Sequence, residues 1–369
     1  MDSLLIYGSY GYTGRLIARE AVARGGSPVV AGRDASAVTR QADALGVEGR
    51  VVDLESSALE SHLERFDAVM NCAGPFVETA EPLVAACLET KTDYLDITGE
   101  FPVFECLRQR DDEARTAGIT LLPGVGFDVV PSDCLAAFLA DHHPDGDTLR
   151  LGIKSDSGLS RGTARTLVEH LGSGGVVRRN GRLIQVPTGF RTREIDFGDG
   201  PEHAVTIPWG DVVTAAHSTG IESIEVYAAA PPWAAERLST VNSVGWLLER
   251  GPVKRLLNRV IDARLDGPNG AQLATGSAVV WGEIVDDDTG QQARARLRTP
   301  NPYALTAESA VAAAGRVLEG RNSVPDGFQT PASAFGSEFV LELSGTKREL
   351  IETPDDDTNE PTRVPVEPK

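Results

Sequence analysis

The heptapeptide Gly8-Ser9-Tyr10-Gly11-Tyr12-Thr13-Gly14 has the residue types and spacing to hold a phosphate. It spaces its glycines as GxxGxxG, follows a short apolar run at 4–7 and opens a helical stretch at 13–23. A strand feeding a glycine turn into a helix is the context that a dinucleotide fingerprint requires. Gly8 would allow the tight turn, Gly11 the approach of a pyrophosphate to the backbone, and Gly14 the close packing of helix on sheet. N–H groups at the helix start, at the positive end of its dipole, would then face the anion. The plain alternative is a tight turn with no ligand.

The end of the second expected strand selects the dinucleotide. An NAD site places Asp or Glu there for the ribose 2′-OH. This chain has Ala31-Gly32-Arg33-Asp34, and Arg33 can take a 2′-phosphate through a bidentate, charge-assisted contact. The expected cofactor is therefore NADP(H). Asp34 comes one position late for the sugar and fits a helix cap. Asp53 could touch the adenine edge or cap the next helix. Asn71-Cys72-Ala73-Gly74-Pro75-Phe76 ends the fourth expected strand. Small residues there would let the backbone lie against the ribose, with Pro75 and Phe76 walling the nicotinamide. A β-to-α turn with a core phenylalanine is the alternative.

Hydride transfer is the cofactor's chemistry, so the protein must supply position, dryness and a proton. The candidate polar groups are Tyr94, Asp96, Glu100, Asp128 and Asp133. Asp128 ranks first, because it sits between Gly126 and Pro131 on an expected sheet-to-helix loop. Tyr94 follows, though it could equally be core, and Asp96 and Asp133 could cap helices. Ser160-Arg161-Gly162-Thr163 begins another expected helix, whose free N–H groups and arginine could bind an anionic or carbonyl substrate group. A plain serine cap with surface arginines is the alternative. Gly158-x-Ser160-x-Gly162 also matches a hydrolase elbow, but no strand leads into it. There is no Tyr-x-x-x-Lys pair with the usual short-chain-dehydrogenase spacing. The four cysteines (Cys72, Cys87, Cys106, Cys134) form no CxxC pair and have no clustered histidines. No metal is expected, and reduced, mostly buried thiols are.

The elements that must carry these groups alternate in the first third: strands at 4–7, 29–31, 50–52, 68–71, 94–97 and 119–122, with helices at 13–23, 35–45 and 81–89. That order predicts an α/β fold with a Rossmann-type doubly wound parallel sheet. After about residue 135 the pattern changes to longer strands at 149–154, 221–229, 277–285 and 293–298, the last two joined by an expected hairpin at 286–290. This predicts an inserted α+β domain bearing a mostly antiparallel sheet. The expected division is 1–134 with about 304–345 for the NADP-binding domain, 135–303 for the substrate or dimerisation domain, and 352–369 as an acidic disordered tail. Residues 244–265 carry apolar positions at helical spacing with Arg and Lys opposite. They could be a lid or lipid-meeting surface helix, or an amphipathic pair on the second sheet.

Among 369 residues, 54 Asp+Glu outweigh 35 Lys+Arg, a net charge of -19, and only five of the basic residues are Lys. Such a surface excludes a general nucleic-acid binder and suits a cytoplasm of very high salt, where repulsion is screened. No signal peptide or run of about 20 apolar residues is present, so a cytoplasmic protein without a membrane span is expected. An exposed face of a mixed sheet would support a homodimer.

GSYGYTG (8–14), AGR (31–33), NCAGPF (71–76), YLDITGE (94–100) and PGVGFDVVPSD (123–133) together resemble the saccharopine dehydrogenase-like oxidoreductases. The similar branch is that of the trans-acting enoyl reductases. Weaker blocks at 160–171, 265–270 and 330–336 extend the resemblance to about residue 345. It implies a Rossmann domain interrupted by a second α/β domain, with 304–318 and 330–336 packing back on the first. It implies an NADPH-dependent reductase acting on a small, lipid-like substrate through an activated C=C bond, or else a saccharopine-type reduction of an imine. A non-catalytic NADP-binding redox sensor is the reading from another class. Gly8, Tyr10, Gly11, Tyr12 and Thr13 match the family's pyrophosphate turn, Arg33 its 2′-phosphate position, and Cys72, Ala73 and Gly74 its cofactor-facing loop. Val129 stands where the family has serine.

Overall fold

The computed structural model describes Met1 and residues 3–56, 58–156, 174–231, 273, 275–320 and 324–352. Ser160, Arg161, Thr163, the 244–265 stretch and the tail beyond Glu352 lie outside the described residues.

The first sheet is built from β1 (Leu4–Tyr7), β2 (Val29–Gly32), β3 (Gly49–Val51), β4 (Ala68–Asn71), β5 (Asp93–Asp96) and β6 (Thr120–Leu122). Every pairing in it is parallel. β1, β2 and β4 are buried along their whole length, as a sheet covered on both faces demands. Each buried Leu, Ile or Val there contributes about 1.5–3 kcal/mol relative to exposure. The crossovers are α1 (Tyr12–Ala23), α2 (Ala35–Leu45), α3 (Leu59–Leu63), α4 (Phe76–Thr90), and the pair α5 (Phe101–Arg108) and α6 (Asp111–Ala117). α3, α5 and α6 are short, at five, eight and seven residues, and were not read from the sequence. α4 starts five residues before the expected boundary. Its Pro82 sits inside the helix, where a proline breaks the sequence signal.

α7 (Val130–His142) leads to the second sheet, formed by β7 (Thr148–Ser155), β8 (Gly175–Arg179), β9 (Arg182–Val186), β10 (Thr192–Asp196), β11 (Pro201–Thr206), β12 (Ser223–Ala229), β13 (Ser277–Val285) and β14 (Gln292–Pro300). α8 (Asp211–Thr219) precedes β12. Only β12 and β7 pair in parallel, so the sheet is mixed and mostly antiparallel. β13 and β14 form the expected hairpin. α7 packs on the inner face, and a Cβ added at Gly282 would lie 2.6 Å from the Leu139 side chain.

The chain then returns. α9 (Pro302–Leu318) lies against α1, and the two-residue β15 (Gly327–Phe328) joins the first sheet beside β6. α10 (Pro331–Phe335) packs on α7 and α8. β16 (Lys347–Glu352) pairs with β14, so the second sheet recruits a strand from beyond residue 345. The first sheet runs β15-β6-β5-β4-β1-β2-β3. Among the described residues, no helix is long and apolar enough to cross a membrane.

Candidate dinucleotide site

Strand order reverses between β1 and β4, and ligands of open α/β sheets bind at the carboxyl ends of such strands. Gly8 (φ +72°) turns the chain there, and a Cβ on it would come within 2.7 Å of the Ala73 backbone nitrogen. Only glycine lets the β1 and β4 loops meet so closely. A Cβ at Gly14 would stand 2.5 Å from the Gly8 carbonyl oxygen, so α1 rests directly on the turn. Gly11 is exposed, and a Cβ on it would meet only that carbonyl, at 3.2 Å. No side chain caps α1, whose N-cap is Gly11, and its first turn carries no acidic residue. An open helix start next to an unobstructed glycine fits a pyrophosphate.

Ser9 points the other way. Its hydroxyl donates to Gln41 Oε1 (2.7 Å) and the Ala31 carbonyl (3.2 Å), and Gln41 Nε2 donates to the Ser9 carbonyl (2.9 Å). Its N–H also bonds the Ala31 carbonyl. This corrects the expectation that Ser9 faces phosphate: it anchors the turn to α2. Tyr10 lies over Gly32, where a Cβ would come within 2.4 Å of its ring, and its hydroxyl accepts the Asp34 N–H at 3.3 Å. Asp34 caps α2 through the Ala37 N–H (3.0 Å), as its position suggested. Arg33 is exposed beside this ring. The Tyr7 hydroxyl is pushed up to about 12, first by burial and then by Tyr10, with Arg33 opposing and Asp53 adding to the rise. Tyr10, Arg33 and Asp53 therefore all lie within electrostatic reach of the end of β1. Asp53 itself is exposed and accepts the Glu55 N–H at 3.2 Å, closing a turn.

The β4 loop is held from beneath. Buried Asn71 accepts the Ala73 N–H (3.0 Å) and donates to Thr79 Oγ1 and the Tyr94 hydroxyl (both 3.1 Å). Tyr94 donates to Asp96 Oδ2 (2.9 Å), while Asp96 Oδ1 accepts the Thr98 and Gly124 N–H groups. Tyr94 is 0% exposed. This corrects its placement as a group touching substrate: it steadies Asn71, whose side chain in turn faces the loop backbone. The Cys72 thiol is raised by burial and by Asp96, which makes it inert. Ala73, exposed Gly74 and Phe76 remain at the surface of the crevice, with a cis peptide between Gly74 and Pro75. Glu100 caps α4 by accepting the Phe76 (3.1 Å) and Val77 (3.2 Å) N–H groups. Phe76 is thus the first helical residue, and Val77 beside it is 53% exposed.

Asp128 sits against the loop after β5, which carries Glu100. A Cβ at Gly99 would fall 2.9 Å from its Oδ2, and no described residue hydrogen-bonds its carboxylate. Burial, helped by the Glu100 charge, pushes it up to about 6. Its carbonyl accepts the Trp209 indole N–H (2.7 Å), and the neighbouring Phe127 N–H bonds Thr306 Oγ1 (2.9 Å). Tyr12 and Tyr303 meet edge to face, with centroids 5.1 Å apart. Trp209, Tyr303 and Thr306 were not legible as site neighbours, because they come from 80 to almost 300 residues away and carry no local motif. The described residues contain no metal-binding cluster, and all four cysteines are free, Cys106 being exposed.

Residues 4–122 match the family model for the saccharopine dehydrogenase NADP binding domain. A trans-acting enoyl reductase of Mycobacterium leprae is 33% identical over 144 residues, covering 35% of this chain and 33% of that protein. A saccharopine dehydrogenase-like oxidoreductase of Bos taurus is 27% identical over 151 residues, 35% of each chain. The chain spans less than half the length of these curated relatives. Apo saccharopine dehydrogenase (L-Glu forming) of Saccharomyces cerevisiae shares the fold, with a TM-score of 0.63, 14% identity and coverage of 95% of this chain and 99% of that one. These matches bear out the resemblance read from the motifs, and the first domain is an NADP-binding domain.

Proposed function

We propose that this chain, which carries a saccharopine dehydrogenase-type NADP-binding domain at residues 4–122, is an NADPH-dependent reductase of an activated C=C bond in a lipid-like substrate. The observation that carries the reading is the crevice at β1 and β4. There an uncapped helix start, an open Gly11 and an exposed Arg33 face one edge, while Asp128 lies on the adjoining loop.

In this reading the Tyr10, Gly11, Tyr12 and Thr13 backbone, with Gly8 and Gly14 shaping it, receives the pyrophosphate. Arg33 pairs with the 2′-phosphate, Asp53 borders the adenosine side, and Ala73, Gly74 and Phe76 border the nicotinamide. The cofactor supplies hydride. Burial and the Glu100 charge raise Asp128 to about 6, so it keeps its proton into the mildly acidic range, well above an ordinary carboxyl. It gives that proton to the substrate carbon or oxygen that gains charge.

The charge around Asp128 supports an enoyl acceptor over an amino-dicarboxylate. Its charged influence is Glu100, of the same sign, and no described cation faces it. Arg178 is held by the Val212 and Gly181 carbonyls, and Arg179 pairs with Glu225 on the far side of the second sheet, so neither faces Asp128. Exposed Val77 and the Phe76 ring offer an apolar mouth. The names of the enoyl reductase relatives agree with this choice. Ser160, Arg161 and Thr163, outside the described residues, are proposed from the sequence alone as contacts to the substrate carbonyl, and the net charge of -19 suits assay in molar salt.

The test is NADPH oxidation by the full chain in molar KCl with α,β-unsaturated thioesters, cyclic imines and amino-dicarboxylates. Turnover of the thioesters is expected. Turnover confined to the imines would move the chain to amino-acid chemistry, and NADPH binding with no acceptor would leave a sensor.

A further inference from the structure

A cross-strand row on the outer face of the second sheet alternates in charge: Glu225 on β12, Arg150 on β7, Glu283 on β13 and Arg294 on β14 are successive register partners. Gly282 faces α7, so Glu283, one residue on, faces away from it. Glu283 is 1% exposed and receives three guanidiniums: Arg193 in a fork (2.7 and 2.7 Å), Arg150 (2.8 Å) and Arg294 (2.8 Å). Burial would raise its carboxyl, but these partners hold it below the usual value. Glu225 accepts from Tyr227 (2.5 Å), Arg191 (3.0 Å) and Arg179. Arg294 also pairs with Glu352 (2.8 Å).

Five guanidiniums thus share three carboxylates, a local surplus of positive charge in a chain of net charge -19. Arg150 and Arg191 each commit one side-chain donor to a carboxylate, and a guanidinium carries five. A shallow cleft of about 480 Å³ opens among them, lined by Arg150, Arg191, Thr192, Arg193 and Tyr227. Half-buried Arg150 and Arg193, with the more exposed Arg191 beside them, present donors that an anion of matching geometry would accept from. We propose that this cleft binds a small multivalent oxyanion, at a site separate from the dinucleotide crevice. The site is separate because α7, which starts at the Asp128 loop, covers the opposite face of the same sheet.

Titration calorimetry on the full chain, with citrate and with inorganic phosphate at constant ionic strength in KCl, tests the proposal. One anion per chain is expected. Binding of citrate alone identifies a carboxylate ligand, and of phosphate alone a phosphate ligand. Arg191→Gln should weaken binding on the order of tenfold. It should leave NADPH affinity and thermal stability unchanged, because Arg179 and Tyr227 still hold Glu225. No binding of either anion, or equal binding by Arg191→Gln, overturns the proposal. So does a dimer that R191Q dissociates with no anion bound, since the face would then belong to a second copy.

Discussion

Glu100 accepts the Phe76 backbone N–H at 3.1 Å, tying the loop after β5 to the first turn of α4. The same carboxylate raises its neighbour Asp128. One side chain thus both fixes the wall of the crevice and sets the proton affinity of the group placed beside it.

Replacing Glu100 by Gln keeps an acceptor for the Phe76 N–H but removes the charge. Asp128 should then lose its proton at lower pH. If protonated Asp128 is the donor, the alkaline limb of kcat for the enoyl acceptor moves to lower pH. A pH–rate profile of the variant beside the parent checks this, and an unmoved limb would remove Asp128 from the chemistry.

Arg33 is exposed and hydrogen-bonds no described residue, so Arg33→Gln should leave the fold intact. NADPH affinity is expected to fall by one to two orders of magnitude, as a charge-assisted fork is worth about 1.5–3 kcal/mol. NADH affinity should stay within about twofold. Fluorescence titration with both nucleotides separates this from general damage.

The two glycines of the α1 turn should fail differently. Gly14→Ala puts a Cβ 2.5 Å from the Gly8 carbonyl, so backbone must move and thermal stability should drop by several degrees. Gly11→Ala meets only a 3.2 Å contact on an exposed position and should fold. Its methyl group points where the pyrophosphate would approach, so NADPH affinity should fall with little change in Tm. Loss of both properties in both variants would contradict this division.

Asp211, at the start of α8, is fully buried, and among the described residues neither of its carboxylate oxygens makes a well-formed hydrogen bond, Ser132 being the polar side chain beside it. Burial raises it well above the usual carboxylate range. A carboxyl raised in the folded state holds its proton more tightly folded than unfolded. Its penalty is absent below the unfolded value near 4 and grows as pH climbs through the raised value. Asp96, raised to about 6, acts in the same direction. Asp211→Asn should therefore flatten the fall in Tm between pH 5 and pH 8 without abolishing it. An unchanged slope would show that Asp211 is ionised or paired.

The sequence determined the site's backbone. The glycine spacing of the first turn, Arg33 after β2 and the small residues after β4 are local signals, each set by chain conformation within a few positions. The alternation of strands and helices was equally local, and so was the β13–β14 hairpin. Tertiary structure decided which side chains face the crevice. Ser9 and Tyr94 share motifs with residues at the surface, yet packing against Gln41 and Asn71 turns them inward. Trp209 and Thr306 reach the Asp128 loop only because the chain leaves the first sheet and returns. β15 and β16 are too short or too polar to announce themselves, and existing strand edges recruit them. Burial, which sets the proton affinity of Asp128, is a sum over segments far apart in sequence, and no local pattern encodes it.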